Sequence, residues 1–383
     1  MTRTYDLAIV GAGILGLAHA LAAARLGKRV IVLDRDSQAN GASIRNFGLV
    51  TATGQQRGLT WRRARRSRDV WAEVAAGAGI IVEHRGVAVT ARLPEAVPVL
   101  EAFMATEMAE TCRIVTPAEA ANRVPALRTE ALKAVLLSEG ALRVESRTAI
   151  PKLARHLEEA HGVTIRRGVT VTAVEPPEIR TSAGLVAAET AIVCPNDDFL
   201  TLFPERIAAR GPTKCKLHML RVRPENPVAF GAAVMSDFGL ARYDGFAALP
   251  EAARLKARLA AERPDMLANG IHLIVVQSAD GSLVVGDSHH YGATPDPFAP
   301  TAVDDLIMGE FDAVLALPGR RIAERWTGIY PSGPDVMFMD TPRPDVRLVM
   351  VTGGTGASTS FAIAEETIAD LYGLAPPEHA VAV

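Results

Sequence analysis

Gly11, Gly13 and Gly16, in the order G-x-G-x-x-G, stand directly behind the apolar run Tyr5 to Val10 and open an Ala/Leu-rich helical stretch, Ile14 to Leu26. No other feature constrains the chain as much. A second β-branched run, Arg29 to Leu33, ends at Asp34, so the N-terminus reads as a β-α-β unit. Each glycine answers a physical requirement: Gly11 permits the tight turn, Gly13 lets backbone approach a pyrophosphate, and Gly16 lets the helix pack closely on the strand. The helix start at Ile14 adds free amides and a partial positive charge. Asp34, with Arg35 beside it, stands where a carboxylate accepts hydrogen bonds from an adenosine ribose. The unit therefore binds a dinucleotide, and this fingerprint alone leaves FAD and NAD both open.

The 383 residues exceed a typical single domain, and two domains sharing an interface are expected. The balance of 41 Lys and Arg against 43 Asp and Glu leaves a formal charge of -2, which offers no global attraction for nucleic acid or anionic membrane. Cys112, Cys194 and Cys215 form neither a CxxC pair nor a disulfide framework, which points to a reducing compartment. The N-terminal apolar run is interrupted by glycines and preceded by Asp6, so it is not read as a signal peptide, and no segment has the length of a membrane span. A cytoplasmic protein is expected.

Along the chain, helical patterns cover Arg57 to Ala76, Glu95 to Glu110 and Thr148 to His161, and Ile80 to Ala91 reads as short strands. Val163 to Val174 and Thr190 to Val193 read as strands returning to the first sheet. Between Gly211 and Arg325 extended segments dominate, Lys214 to Val222, Ile271 to Gln277 and Leu283 to Val285, with a helical insert around Pro250 to Ala268. Arg347 to Val351, the turn Gly353 to Gly356 and a helix Ser358 to Leu371 then repeat the strand, turn and helix of the N-terminus. The tail after Gly373 reads as loose.

Two segments carry a resemblance. GASIRNFG, residues 41–48, contributes Ser43, Arg45, Asn46 and Gly48 and resembles the flavin-contacting loop of the D-amino-acid oxidase and glycine oxidase superfamily. VTGGTGASTSFAIAEE, with Gly353, Gly354, Thr355 and Gly356, resembles that superfamily's second flavin contact, where helix amides stabilise charge on a reduced flavin. The resemblance implies non-covalently bound FAD and an α/β architecture. In it, a discontinuous Rossmann-like FAD-binding domain (1–85, 146–210 and 325–383) joins an α+β substrate domain with a mostly antiparallel sheet (86–145 and 211–324). The chain departs from the superfamily at Cys194, Pro195 and Asn196, where a glycine commonly follows the returning strand.

The phrases SIRNFGLV, RSRDVW, KCKLHML, GIHLIV, GDSHHYG and RWTGIYPSGP further resemble bacterial FAD-dependent oxidoreductases associated with phosphonate catabolism. That likeness implies oxidation of a small, anionic amine such as 2-aminoethylphosphonate or its N-methyl derivative. Hydride leaves the carbon bearing nitrogen, the imine hydrolyses to phosphonoacetaldehyde, and O2 accepts the electrons to give H2O2. Where amino-acid oxidases of the superfamily carry a carboxylate-clamping arginine, this chain has Tyr330. Substitute cations are Arg242 with Tyr243, Lys214 and Lys216, and His289 and His290. Either histidine is also the natural candidate base, although adjacent residues on a strand face opposite ways.

The nine histidines show no metal-ligand spacing. Trp61 to Arg68 concentrates Arg62, Arg63, Arg65, Arg66 and Arg68, which reads as a solvated or ion-paired helix face. Three rival readings stay open: a glycine- or sarcosine-type oxidase or dehydrogenase, a tRNA-modifying flavoprotein using the arginine-rich helix, and a flavin-binding sensor without turnover.

Overall fold

A computed structural model describes residues 4–381. Five strands lie parallel in the order Thr164–Arg167, Val30–Asp34, Thr4–Val10, Gly184–Val193 and Val346–Gly353. The middle strands are nearly continuous apolar runs, as a sheet covered on both faces demands. The helices Ile14–Arg25, Leu59–Gly77, Ser146–His161 and Gly356–Leu371 cover one face, over a core that includes Leu7, Ile9, Leu17, Trp71 and Phe361. The hairpin Val171–Glu175 and Glu178–Thr181 covers the other with Val171, Val174 and Ile179. Trp71 donates from Nε1 to the Ala357 carbonyl at 2.8 Å and packs edge-on to Phe361, which fixes the start of the last long helix.

The second sheet is mostly antiparallel. Its order is Cys112–Val115, Ala134–Val144, Val82–Ala91, Ala233–Met235, Ile274–Gln277, Leu283–Gly286, Thr213–Pro224 and Arg320–Arg343, with one parallel pair between Val82–Ala91 and Ala233–Met235. Its core gathers Phe103, Phe238, Phe246 and Phe311. The strand Arg320–Arg343 pairs first with Thr213–Pro224 and then with Val346–Gly353, so one piece of backbone belongs to both sheets. The expected divisions at 85 and 325 therefore fall inside continuous strands.

Several expectations need correction. Ile80 to Ala91 holds one strand, Val82–Ala91, in place of short ones. The helix expected over Glu95 to Glu110 ends at Met104, where the Thr106 hydroxyl bonds the Phe103 carbonyl, and a short 3-10 turn follows at Glu107–Ala109. The tail after Gly373 is tied down: Arg62 Nε donates to the His379 carbonyl at 2.9 Å, and the His379 ring sits 3.1 Å from Glu366 Oε1. The other arginines of that helix find carboxylates, Arg63 with Glu366, Arg65 with Glu110, Arg66 with Glu365 and Arg68 with Asp69. Among the described residues no helix is long and apolar enough to cross a membrane.

Candidate active site

One cavity of about 900 Å³ runs from the C-terminal ends of the parallel strands to the face of the antiparallel sheet. Ligands of open α/β sheets bind at such strand ends. Its two ends differ in chemistry.

At the first end, Gly11, Gly13, Ile14 and Gly16 line the cavity together with Asp34, Arg35, Ser43, Arg45, Asn46 and the turn Gly353, Gly354, Thr355 and Gly356. Gly11 has φ +103°, and a Cβ there would lie 2.6 Å from the Cys194 carbonyl oxygen; at Gly16 it would lie 1.8 Å from that of Gly11. No side chain fits at either position. Asp34 accepts from the Ala12 amide through Oδ2 at 2.6 Å and from the Asp36 amide through Oδ1 at 2.8 Å. Its carboxylate is thereby fixed at the strand end with acceptor capacity left for a ligand. Arg35 is paired to Asp198 at 2.7 Å. Arg45 bonds only neutral oxygens, of Thr327 and Asn40, among the described residues.

Other predicted contacts turn out to shape the loop. Ser43 Oγ accepts from the Ile14 amide at 2.9 Å, and Asn46 donates to the Ala42 carbonyl while accepting from the Gly48 amide and the Ser146 hydroxyl. Gly48 is absent from the cavity wall: at φ +66° it packs where a Cβ would lie 1.8 Å from the Val144 carbonyl. Asn196 adopts φ 54°, the left-handed conformation that asparagine tolerates, so the missing glycine after the returning strand is accommodated.

At the second end the wall is made by Arg242, Tyr243, His272, Asp287, His289, Tyr291 and Tyr330. Arg242 Nη2 donates to the Tyr291 hydroxyl at 3.1 Å, and the guanidinium forms no ion pair with a carboxylate among the described residues. Burial pulls its pKa down, but Tyr291 and other neighbours outweigh this and keep it above the ordinary arginine value, so the cation persists. Burial raises the Tyr243 and Tyr330 phenols well above the usual range, and both stay protonated donors. A Cβ added at Gly354 would lie 3.2 Å from the Tyr330 ring, so this tyrosine bridges the two ends. Burial pushes His289 down to about 3 despite Asp287, whereas Asp287, which burial would raise, is held below the carboxylate range by His289, His272 and Arg242.

Strand parity decides which candidates reach the cavity. Cys215 faces Tyr330 across the ladder, which turns Lys214 and Lys216 to the opposite side. Lys214 lies 3.7 Å from Asp197, over the Phe199 ring, and Lys216 is buried with Nζ donating to the Asp296 and Phe298 carbonyls, so neither lines the cavity. His289 and Tyr291 face inward; His290 between them faces outward, its Nε2 3.1 Å from Asn269 Oδ1. His272, Asp287 and Tyr291 were missed. Asp287 and His289 stand two apart within GDSHHYG, but the cross-strand placement of His272 has no local signal. Contrary to the sequence spacing, the fold thus brings two histidines and a carboxylate within metal-ligand reach of one another.

The model of the FAD dependent oxidoreductase family (DAO) matches residues 6–371, and the chain belongs to this family. It is an FAD-dependent oxidoreductase. Among curated protein sequences none matches. Similar solved structures include L-proline dehydrogenase from P. horikoshii (TM-score 0.79, 16% identity, covering 98% of this chain and 95% of that one). Glycine oxidase from Bacillus cereus superposes with TM-score 0.77 at 17% identity over 97% and 95% of the two chains. Iminodiacetate oxidase from Chelativorans sp. gives 0.72 at 19% over 97% and 96%. These likenesses share the fold. The residues fit FAD: a first glycine turn with no room for side chains at Gly11 and Gly16 and a second with Gly354 at φ +69°, each opening a helix, line one cavity that also takes in the Asp34 carboxylate and a polar, cationic pocket.

Proposed function

We propose that the protein oxidises a small amine bearing an anionic group, an aminophosphonate such as 2-aminoethylphosphonate or its N-methyl derivative. Water and O2 are consumed and phosphonoacetaldehyde, ammonia or methylamine, and H2O2 are formed. The observation that carries this reading is Arg242, a half-buried guanidinium at the cavity wall whose bonded partner is a phenol. Arg242 feels the Asp287 charge without forming an ion pair to it, and an anionic substrate would offset the cost of leaving a partly desolvated cation so. Glycine oxidase and iminodiacetate oxidase, by their names, also act on small acidic amines, which supports the class.

FAD, when bound, supplies the hydride acceptor for the carbon bearing nitrogen. The chain's own residues hold that carbon in place. Arg242 binds the anion, and the Tyr243 and Tyr330 phenols are protonated donors in the same wall. Leu49, Leu217 and Ile274 line the same space and keep water out. Hydride loss from a neutral amine requires no side-chain base, and His289, neutral at working pH, is a weak one. The pairing of Arg63, Arg65, Arg66 and Arg68 with carboxylates removes the free basic face that a tRNA reading needs.

The test is product analysis in air with 2-aminoethylphosphonate, its N-methyl derivative, glycine and sarcosine. An aldehyde and H2O2 in equal amounts from the phosphonates are expected; turnover of glycine or sarcosine alone would replace the aminophosphonate by an amino acid.

A further inference from the structure

We propose that His272, Asp287 and His289 bind a divalent first-row metal ion of zinc type, with open coordination positions facing the cavity. The backbone places them together. His272 and Asp287 exchange both main-chain hydrogen bonds, at 3.2 and 2.9 Å, so they are direct cross-strand partners. His289, two positions beyond Asp287, projects from the same face. One nitrogen from each histidine and one carboxylate oxygen lie within 4.8 Å of one another, and the three residues are 3%, 4% and 7% exposed.

The hydrogen-bond roles leave these atoms short of a cation. His289 Nδ1 lies 2.8 Å from the Gly270 carbonyl, which can only accept, so the ring proton sits on Nδ1 and Nε2 carries a lone pair. That lone pair faces Asp287 Oδ2, another acceptor, at 3.7 Å. His272 Nδ1 stands 2.9 Å from Asp287 Oδ1, an ion pair only if the ring is protonated, and His272 Nε2 has no hydrogen-bond partner. Buried polar atoms left so are rare, and with one ligand atom from each of the three residues within 4.8 Å of the others, a shared cation would satisfy the cluster.

The surroundings match what such an ion needs. A ligand histidine is usually oriented by a carbonyl on its other nitrogen, as Gly270 does for His289. Residue 270 is held to glycine, since φ is +58° and a Cβ would lie 2.8 Å from the His289 Cβ. Two imidazoles and one carboxylate are a ligand set of catalytic zinc sites and leave room for an exchangeable oxygen ligand. The cavity is the entry path. If the substrate reading above holds, the ion and Arg242 would share the substrate's anion; the metal site itself does not depend on that reading.

The experiment uses the FAD-loaded protein, dialysed against chelator and then titrated with Zn2+, with metal and flavin measured per chain and Co2+ used as a spectroscopic substitute. One Zn2+ per chain is expected, together with Co2+ bands at longer wavelength than the flavin's. His289→Ala and His272→Ala should each weaken uptake by about 100-fold or more, beyond the effect of losing an outer-shell partner, while flavin content stays at the wild-type level. Should Asp287→Asn fail to fold, these two variants carry the test, with flavin content and circular dichroism reporting integrity. Absence of stoichiometric Zn2+ from the flavin-loaded wild type, or uptake by both histidine variants as tight as the wild type's, overturns the site and leaves the cluster as a proton-holding network. Either result stands whatever substrate the enzyme uses.

Discussion

Arg242 Nη2 donates to the Tyr291 hydroxyl at 3.1 Å, and no carboxylate among the described residues completes the pair. The guanidinium is therefore held in place by a neutral partner while its charge stays available to a ligand. Replacing it by alanine should raise KM for the anionic amine about 100-fold, equivalent to about 2.7 kcal/mol. Flavin content should be unchanged. Steady-state kinetics beside a flavin assay checks both, and an unaltered KM would remove Arg242 from the substrate site.

Gly11 meets the Cys194 carbonyl where a side chain would stand, at a φ of +103° that alanine avoids. Gly11→Ala should displace the turn and weaken FAD binding by about 100-fold, since strained left-handed backbone and a steric clash act together. Flavin released on gel filtration of the variant measures this.

His19 is fully buried beneath the dinucleotide turn, and burial lowers its pKa from 6.5 to about 4. The unfolded chain therefore binds a proton first as the pH falls. The His19 contribution should destabilise the fold from pH 6.5 towards about 4 and level off below, and His19→Leu should lessen the slope of stability with pH in that window by up to one proton. Denaturant unfolding at several pH values tests the sign; an unchanged slope in the variant would refute it.

The C-terminal strap places His379 against Arg62 and Glu366, and Glu366 also holds Arg63 at 2.6 Å. Arg63 lines the cavity. Removing the residues after Pro376 should cost about 3 kcal/mol of stability through two lost hydrogen bonds to charged groups, each worth about 1.5 kcal/mol or more. A thermal melt of the truncated holoprotein, with an unshifted midpoint as the contrary result, decides it.

The dinucleotide half was legible because its information is local. Gly11, Gly16 and Asp34 act on neighbours in one β-α-β unit, and the turn Gly353 to Gly356 repeats that logic. The reaction end was legible only in part. Arg242 lines the cavity, and of the two histidines left open His289 does, whereas Lys214 and His290 point to the other side of their strands, because parity relative to the cavity depends on register with partners far along the chain. His272 stayed invisible since its relation to Asp287 exists only across a ladder. Gly48 looked like a ligand contact but is a packing position, its need for glycine set by the Val144 carbonyl.

The proposed reaction needs one cavity that holds FAD at its glycine turns and an anionic amine at Arg242. Anaerobic mixing of the yellow holoprotein with 2-aminoethylphosphonate, followed at the flavin absorbance band, tests this most directly. Rapid bleaching by the phosphonate, lost in Arg242→Ala, is the predicted result; no bleaching by any acidic amine, from protein with full flavin content, would contradict it.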